Sequence, residues 1–96
     1  MARFLSLLSF TEQGILNVKQ SVQRAAEFRK RVESAGGKVL SQYWAIGDCD
    51  GCIIFEAPDG ATSASLLLAL GQLGNVRTRT LNIYNEKEFS KILENS

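Results

Sequence analysis

The residues best able to do chemistry are concentrated in one stretch of the chain, residues 43–58. This stretch holds the only Trp, both Cys, the only Pro and three acidic residues. The whole chain lacks histidine, which is the commonest general acid or base and the commonest metal ligand. Any catalysis would therefore depend on carboxylate, thiol, phenol, ammonium or guanidinium groups.

Cys49 and Cys52 have the spacing of a redox dithiol or of half a zinc site. A thioredoxin-type pair needs a helix N-terminus to lower the thiol pKa, but the residues after Cys52 predict a strand. A zinc site would need a second pair of ligands from another chain. We therefore interpret the two cysteines as small apolar residues without a disulfide, and we expect neither a metal nor a cofactor.

The acidic residues of this stretch divide into two groups. Asp48 and Asp50 lie in a turn flanked by glycines, where carboxylates commonly accept hydrogen bonds from backbone N–H groups. Glu56 interrupts an apolar strand, where an unpaired charge is costly to bury. We expect an ion pair between Glu56 and Arg77, with a role for Glu56 as acid or base as the alternative.

Four residues are candidates for binding a ligand: Tyr43, Trp44, Asp50 and Arg77. Adjacent aromatic residues also occur in cores and interfaces, and we favour that interpretation of Tyr43 and Trp44. Arg77 and Arg79 share one face of a predicted strand and could bind an anion. The alternative, which we favour, is that both guanidinium groups are solvated.

Composition restricts the class of protein. The 96 residues are 45% hydrophobic with a net charge of +1, which predicts one domain over residues 1–96 and gives no electrostatic basis for nucleic-acid binding. The apolar N-terminal run ends at Glu12 without a cleavage site. No run approaches the roughly 20 apolar residues of a membrane span, so we expect a cytoplasmic protein that does not bind membranes.

Hydrophobic periodicity and turn residues predict the order of the elements. A strand over residues 3–10 precedes an amphipathic helix that Ser21 caps and Gly36 ends. Strands over 38–46 and 52–57 precede a helix capped by Asp59 or Thr62. A strand over 76–84 and a terminal helix, begun by Asn85 and Glu88, complete an α+β, ferredoxin-like βαββαβ fold. Such a fold has a four-stranded antiparallel sheet with helices on one face.

Apolar residues occupy both faces of the first predicted strand, so the sequence does not decide which face packs against the helices. If Leu5 and Leu7 point to the helices together with Ile53, Phe55, Leu81 and Ile83, the opposite face still carries large apolar side chains. These include Phe4, Leu8, Phe10 and Ile54, beside Glu56. The helix after Asp59 is apolar nearly all round, with no charged residue before Arg77. A second subunit, a ligand or both must cover such surfaces.

The chain resembles the GYD domain proteins over nearly its whole length. The resemblance rests on residues 21–24, 36–39, 47–50, 56–59 and 69–78 and on the pair Tyr43–Trp44. It implies a ferredoxin-like fold similar to the dimeric α/β barrel proteins, in which two open sheet faces meet. Cys49 stands where the family motif has tyrosine, so the Cys-x-x-Cys pattern is a departure from it.

These observations favour a homo-oligomeric module that binds a small ligand or another protein. The alternative is a dimeric α/β barrel enzyme that acts on a small apolar or aromatic molecule, with Glu56 as base. Tyr43, Trp44 and Arg77 would then line its pocket. A redox sensor based on Cys49 is the third class that the sequence permits.

Overall fold

One antiparallel sheet with helices on one face forms the body of the molecule. A computed structural model describes all residues, 1–96. The strands are β1 (Ala2–Phe10), β2 (Lys38–Trp44), β3 (Gly51–Ala57) and β4 (Val76–Ile83). The helices are α1 (Glu12–Leu16), α2 (Ser21–Ser34), α3 (Gly60–Gln72) and α4 (Glu86–Glu94), and a 3-10 turn (Val18–Gln20) separates α1 from α2.

The strand order β2-β3-β1-β4 places β1 and β3 at the centre of the sheet. All neighbouring strands are antiparallel. This is the predicted α+β ferredoxin-like arrangement, with α4 added at the C-terminus, and it is confirmed. The central position of β1 agrees with its apolar sequence.

The core lies between the sheet and the helices α2 and α3. Phe55 of β3 is fully buried, with its ring 5.6 Å from Phe4 and 5.8 Å from Phe28 of α2, centroid to centroid. Val32 of α2 and Leu66 of α3 belong to the same buried cluster. Aromatic pairs at these separations stabilise the fold beyond the contribution of apolar burial. Phe55 belongs to both pairs and is therefore the centre of the core.

The assignment of strand faces is corrected for β1 and β4. Phe4 is directly opposite Phe55, and Ser6 is directly opposite Ile53, so the even-numbered residues of β1 face the helices. Leu5, Leu7, Leu81 and Ile83 consequently lie on the other face of the sheet, opposite to the predicted side. This orientation buries the Ser6 hydroxyl, which is hydrogen-bonded there because it lies 2.9 Å from the hydroxyl of Thr80.

Helix ends follow local chemistry, with two corrections. Thr11 caps the short helix α1, which the predicted order of elements lacks, and its side chain accepts a bond from the N–H of Gly14. Ser21 is the first residue of α2 and not its cap. The predicted end at Gly36 is confirmed, because Gly36 adopts a φ of 88°, which favours glycine. Asp59, and not Thr62, caps α3.

The apolar helix α3 is only partly covered. Leu66 is buried, and Leu67 and Leu70 pack against the core. Leu68 remains 69% exposed. No helix of the structure has both the length and the apolar character that crossing a membrane requires.

Candidate functional site

A cleft opens between α2, the end of α3 and one end of the sheet. Ten of the sixteen residues that line it are hydrophobic. The lining residues are Leu8, Phe10, Ser21, Arg24, Ala25, Phe28, Gln42, Tyr43, Trp44, Asp50, Gly51, Ile53, Leu70, Leu73, Asn75 and Val76. Arg24 and Asp50 are its only charged members. A mostly apolar cleft with a few polar groups is typical of a small-molecule site.

Two side chains that line this cleft each carry a polar atom without a hydrogen-bond partner within the protein. Nη2 of Arg24 and Oε1 of Gln42 are shielded from solvent without a partner, and no other side-chain nitrogen or oxygen of the chain is in this condition. Leaving such a group unpaired costs about 1–3 kcal/mol, and more for a charged group. The guanidinium of Arg24 is held in place because Nη1 donates to the carbonyl of Asn17 at 2.9 Å.

Asp50 fixes the end of β1 beside the cleft. Its Oδ2 accepts a bond from the N–H of Phe10 at 2.8 Å, and its own N–H donates to the carbonyl of Leu8 at 2.8 Å. The carboxylate therefore accepts a backbone bond, as predicted, but from a strand forty residues away and not from its own turn. The loop before it is closed by the N–H of Ala45, which donates to the carbonyl of Asp50 at 2.9 Å.

The aromatic pair of β2 lies at the rim of the cleft. The indole N–H of Trp44 donates to Oγ of Ser21 at 3.2 Å, and Trp44 is 47% exposed. Tyr43 is directly opposite Cys52, whereas Trp44 is directly opposite Gly51. A Cβ at Gly51 would lie 2.8 Å from the carbonyl oxygen of Tyr43, so glycine permits the close approach of β2 and β3 beside the cleft.

The two remaining site candidates lie outside the cleft. Glu56 is directly opposite Arg3 on β1, and its Oε2 lies 3.7 Å from Nη2 of Arg3. The expected ion pair of Glu56 thus exists, but its partner is Arg3 and not Arg77. The guanidinium of Arg77 donates to the carbonyls of Gly71 and Val76 instead. Tyr43, Trp44 and Asp50 are brought together, and Glu56 and Arg77 are not.

Cys49 and Cys52 are free thiols of intermediate exposure. Cys49 lies in the loop before β3, and Cys52 lies in β3 itself. As predicted, a strand and not a helix follows Cys52, so the pair does not lie at a helix N-terminus. No three residues among the Cys, Asp and Glu side chains are grouped closely enough to hold a metal ion.

The side of the sheet that faces away from α2 and α3 forms a second uncovered surface, which we call the open face. Its apolar members are Leu5, Leu7, Tyr43, Cys52, Ile54, Leu81 and Ile83. Tyr43 and Leu81 are 65% and 49% exposed, and the other five are partly exposed. Arg3, Glu56 and Arg79 add charge at its margins. An apolar sheet face of this kind normally packs against another layer.

Helix α4 is tied to the sheet by its first turn. Asn85 and Glu88 form the predicted capping box, with bonds of 2.7 and 2.8 Å. Oε1 of Glu88 also lies 2.7 Å from Nη1 of Arg3. The N–H of Asn85 and then the guanidinium of Arg3 hold the pKa of the Glu88 carboxyl below its usual value. Farther along α4, Phe89, Ile92 and Leu93 are 49%, 39% and 58% exposed, so its apolar stripe is uncovered.

Comparison with known proteins identifies the family. Residues 4–93 match the model of the GYD domain. The chain belongs to the GYD domain family. A relative from Thermus thermophilus, named "Glutamine synthetase and cystathionine beta-lyase binding protein", is 33% identical over 82 residues, which cover 84% of this chain and 86% of the relative.

Sequence reasoning missed two polar residues of this GYD domain, Arg24 and Gln42. A signal for Arg24 was present: it lies four residues before Phe28, at the border of the apolar stripe of α2, so its guanidinium can reach the sheet. Gln42 lies between Ser41 and Tyr43 in β2, and the sequence there gives no comparable indication that its side chain lines the cleft. A β-bulge between Val39 and Ser41 sets which of these residues faces the helices.

Proposed function

We propose that this chain is a protein-binding domain that works as a homodimer. The observation that carries the proposal is the surface left uncovered by the fold. The accessible surface is 6374 Å², whereas a folded monomer of 10.6 kDa is expected to expose about 5,500 Å². The excess of about 900 Å² is close to the area that each partner buries in a standard protein interface.

The open face is the proposed dimer interface. Its apolar residues form a band across the two central strands and β4, which includes Leu5, Ile54 and Leu81. A band of this kind can meet its own copy about a two-fold axis, because each half then offers the same apolar surface. Arg3, Glu56 and Arg79 lie at the margins, where charges remain solvated and set the register of the two sheets.

Helix α4 belongs to the same interface in this proposal. Its apolar stripe finds no partner within its own chain, and the radius of gyration, 14.2 Å, exceeds the roughly 12.5 Å expected for a compact chain of this length. A second copy on the open face would lie beside the first turn of α4, where Glu88 bonds to Arg3. Phe89 and Ile92 would then pack against that copy.

The proposed partner of the dimer is an enzyme. The Thermus thermophilus relative is named for binding glutamine synthetase and cystathionine β-lyase, and it aligns with most of this chain. Association with a regulatory or scaffolding domain needs exposed apolar anchors. On the helix side of this chain, Leu68 and Trp44 are such residues, at 69% and 47% exposure, and they stay accessible when the open face is covered.

Calorimetric titration of the purified chain into glutamine synthetase and cystathionine β-lyase from the same organism tests the protein-binding proposal. We expect saturable binding to at least one of the two enzymes, and a Leu68→Glu variant should bind more weakly. Val22→Ala, an exposed change on α2, is the control and should bind as the unchanged chain does. The absence of saturable binding to both enzymes at micromolar concentration would contradict the proposal.

A further inference from the structure

The unpaired polar atoms of the cleft indicate a ligand with two complementary polar groups. Nη2 of Arg24 is a charged donor without an acceptor, and Oε1 of Gln42 is an acceptor without a donor. Both side chains line the same cleft. Unpaired buried polar groups are rare in folded proteins and require an explanation. Because both residues line one apolar cleft, a single occupant could supply both missing partners.

The charges of the cleft restrict the ligand further. Arg24 and Asp50 have opposite signs, yet they form no ion pair with each other, since both ion pairs of the chain involve Arg3. A carboxylate on the ligand suits the guanidinium of Arg24. A cationic group that donates hydrogen bonds suits the carboxylate of Asp50 together with Oε1 of the Gln42 side chain. A ligand with both groups is a zwitterion.

The remaining walls are apolar. Phe28 and Ile53 are buried members of the core at the cleft, and Leu70 packs against that core. A ligand must therefore also bring an apolar body, whose removal from water favours binding. An aliphatic or aromatic side chain meets this requirement, and a charged side chain does not.

We propose that the cleft binds a free α-amino acid with an apolar side chain. The carboxylate accepts from Nη2 of Arg24, and the ammonium group donates to Oε1 of Gln42 on the side of Asp50. The apolar side chain lies against Phe28, Ile53 and Leu70. The site is separate from the open face, so it does not depend on the dimer proposed above.

Trp44 provides the readout, because it is the only tryptophan and lies at the rim of the cleft. Titration of the full chain with L-leucine should give a saturable change in tryptophan fluorescence. Two analogues serve as probes: 4-methylpentanoate lacks the ammonium group, and 3-methylbutylamine lacks the carboxylate. Each should bind at least about tenfold more weakly than leucine, because each leaves one charged hydrogen bond unmade.

Arg24→Gln and Gln42→Met should each weaken leucine binding by about tenfold or more, and Arg29→Gln, an exposed change on the same helix, should not. Circular dichroism establishes that each variant is folded. Gln42→Met tests the proposal independently if Arg24→Gln loses the bond to Asn17 and unfolds. Equal affinity for leucine and both analogues, unchanged affinity in the two variants, or no saturation by leucine or L-phenylalanine at millimolar concentration would overturn the proposal.

Binding of leucine to a monomeric Leu81→Glu variant would support the separation of the two sites. Leucine binding that disappears with the dimer would overturn the assignment of the site to residues of one chain. Failure of the enzyme titration described above would leave a saturable leucine signal unaffected, so the two proposals can fail separately.

Discussion

Nη1 of Arg3 lies 2.7 Å from Oε1 of Glu88, and this contact joins the central strand β1 to the first turn of α4. The same carboxylate accepts the N–H of Asn85 at 2.7 Å. Glu88 therefore combines two tasks, because it caps its own helix and orients that helix against the sheet. Arg3 also approaches Glu56, at 3.7 Å, so the start of α4 and the margin of the open face share one cation.

The Glu88→Gln variant should be less stable than the unchanged chain at neutral pH, and the difference should disappear in acid. The pKa of Glu88 is lowered in the folded state, so its contribution is fully present above the usual glutamate pKa of about 4.3 and is lost as the pH falls through the lower folded-state value. Melting temperatures across a pH series measure this difference. Glu94→Gln, at the far end of α4, is the control, and a Glu88→Gln difference that is independent of pH would contradict the assignment.

Two helical glycines should respond in opposite directions to alanine. A Cβ at Gly14 would lie 1.9 Å from the carbonyl oxygen of Asn75, whereas a Cβ at Gly71 would meet nothing within 4 Å. We expect Gly14→Ala to lower the free energy of unfolding by about 1–3 kcal/mol, and Gly71→Ala to raise it by about 0.5–1 kcal/mol. Urea denaturation measures both, and equal effects would show that α1 does not pack on Asn75 as described.

Phe55→Ala should be among the most damaging single changes in the chain. Its ring is fully buried between Phe4 and Phe28, and such truncations cost about 3–5 kcal/mol. Chemical denaturation should show this loss, while Val22→Ala, at a position 67% exposed, should change stability by less than about 0.5 kcal/mol. If Phe55→Ala lowered the free energy of unfolding by less than about 1 kcal/mol, the centre of the core would lie elsewhere.

The order of elements was predictable because local signals mark their ends. Gly36 ends α2, the side chains of Asn85 and Glu88 begin α4, and Asp59 begins α3. Each signal acts within one turn of helix, so a single sequence contains it. The predicted order lacks α1, although Thr11 provides a local cap for it at the N–H of Gly14.

The faces of β1 could not be predicted, since apolar residues occupy both parities. The buried side includes Ser6, which alternation alone would assign to solvent, and its hydroxyl is satisfied by Thr80 from a strand far along the chain. The partner of Glu56 depends on strand register in the same way. Arg3 is opposite Glu56 only because β1 lies beside β3.

Three of the four residues predicted to bind a ligand lie at one cleft. Tyr43, Trp44 and Asp50 are close in sequence and line it, and their role in binding stays a prediction. Arg24 and Gln42 are distinguished by hydrogen bonds that they do not make. That property arises only when α2 packs over β2, and it cannot be recognised in the sequence.

A charge on the open face should separate the proposed dimer. Leu81→Glu places a carboxylate in the apolar band of that interface, and burying it unpaired should weaken association by about 100-fold or more. Leu68→Glu makes the same change on the helix side, where the residue is 69% exposed, and should leave the dimer intact. Analytical ultracentrifugation distinguishes the two, and equal effects would mean that the open face is not the interface.

The mass of the unchanged chain in solution tests the central claim most directly. Light scattering coupled to size-exclusion chromatography at micromolar concentration should give about twice the 10.6 kDa of one chain, because a second copy covers the open face. A mass of one chain under these conditions would contradict the proposed dimer.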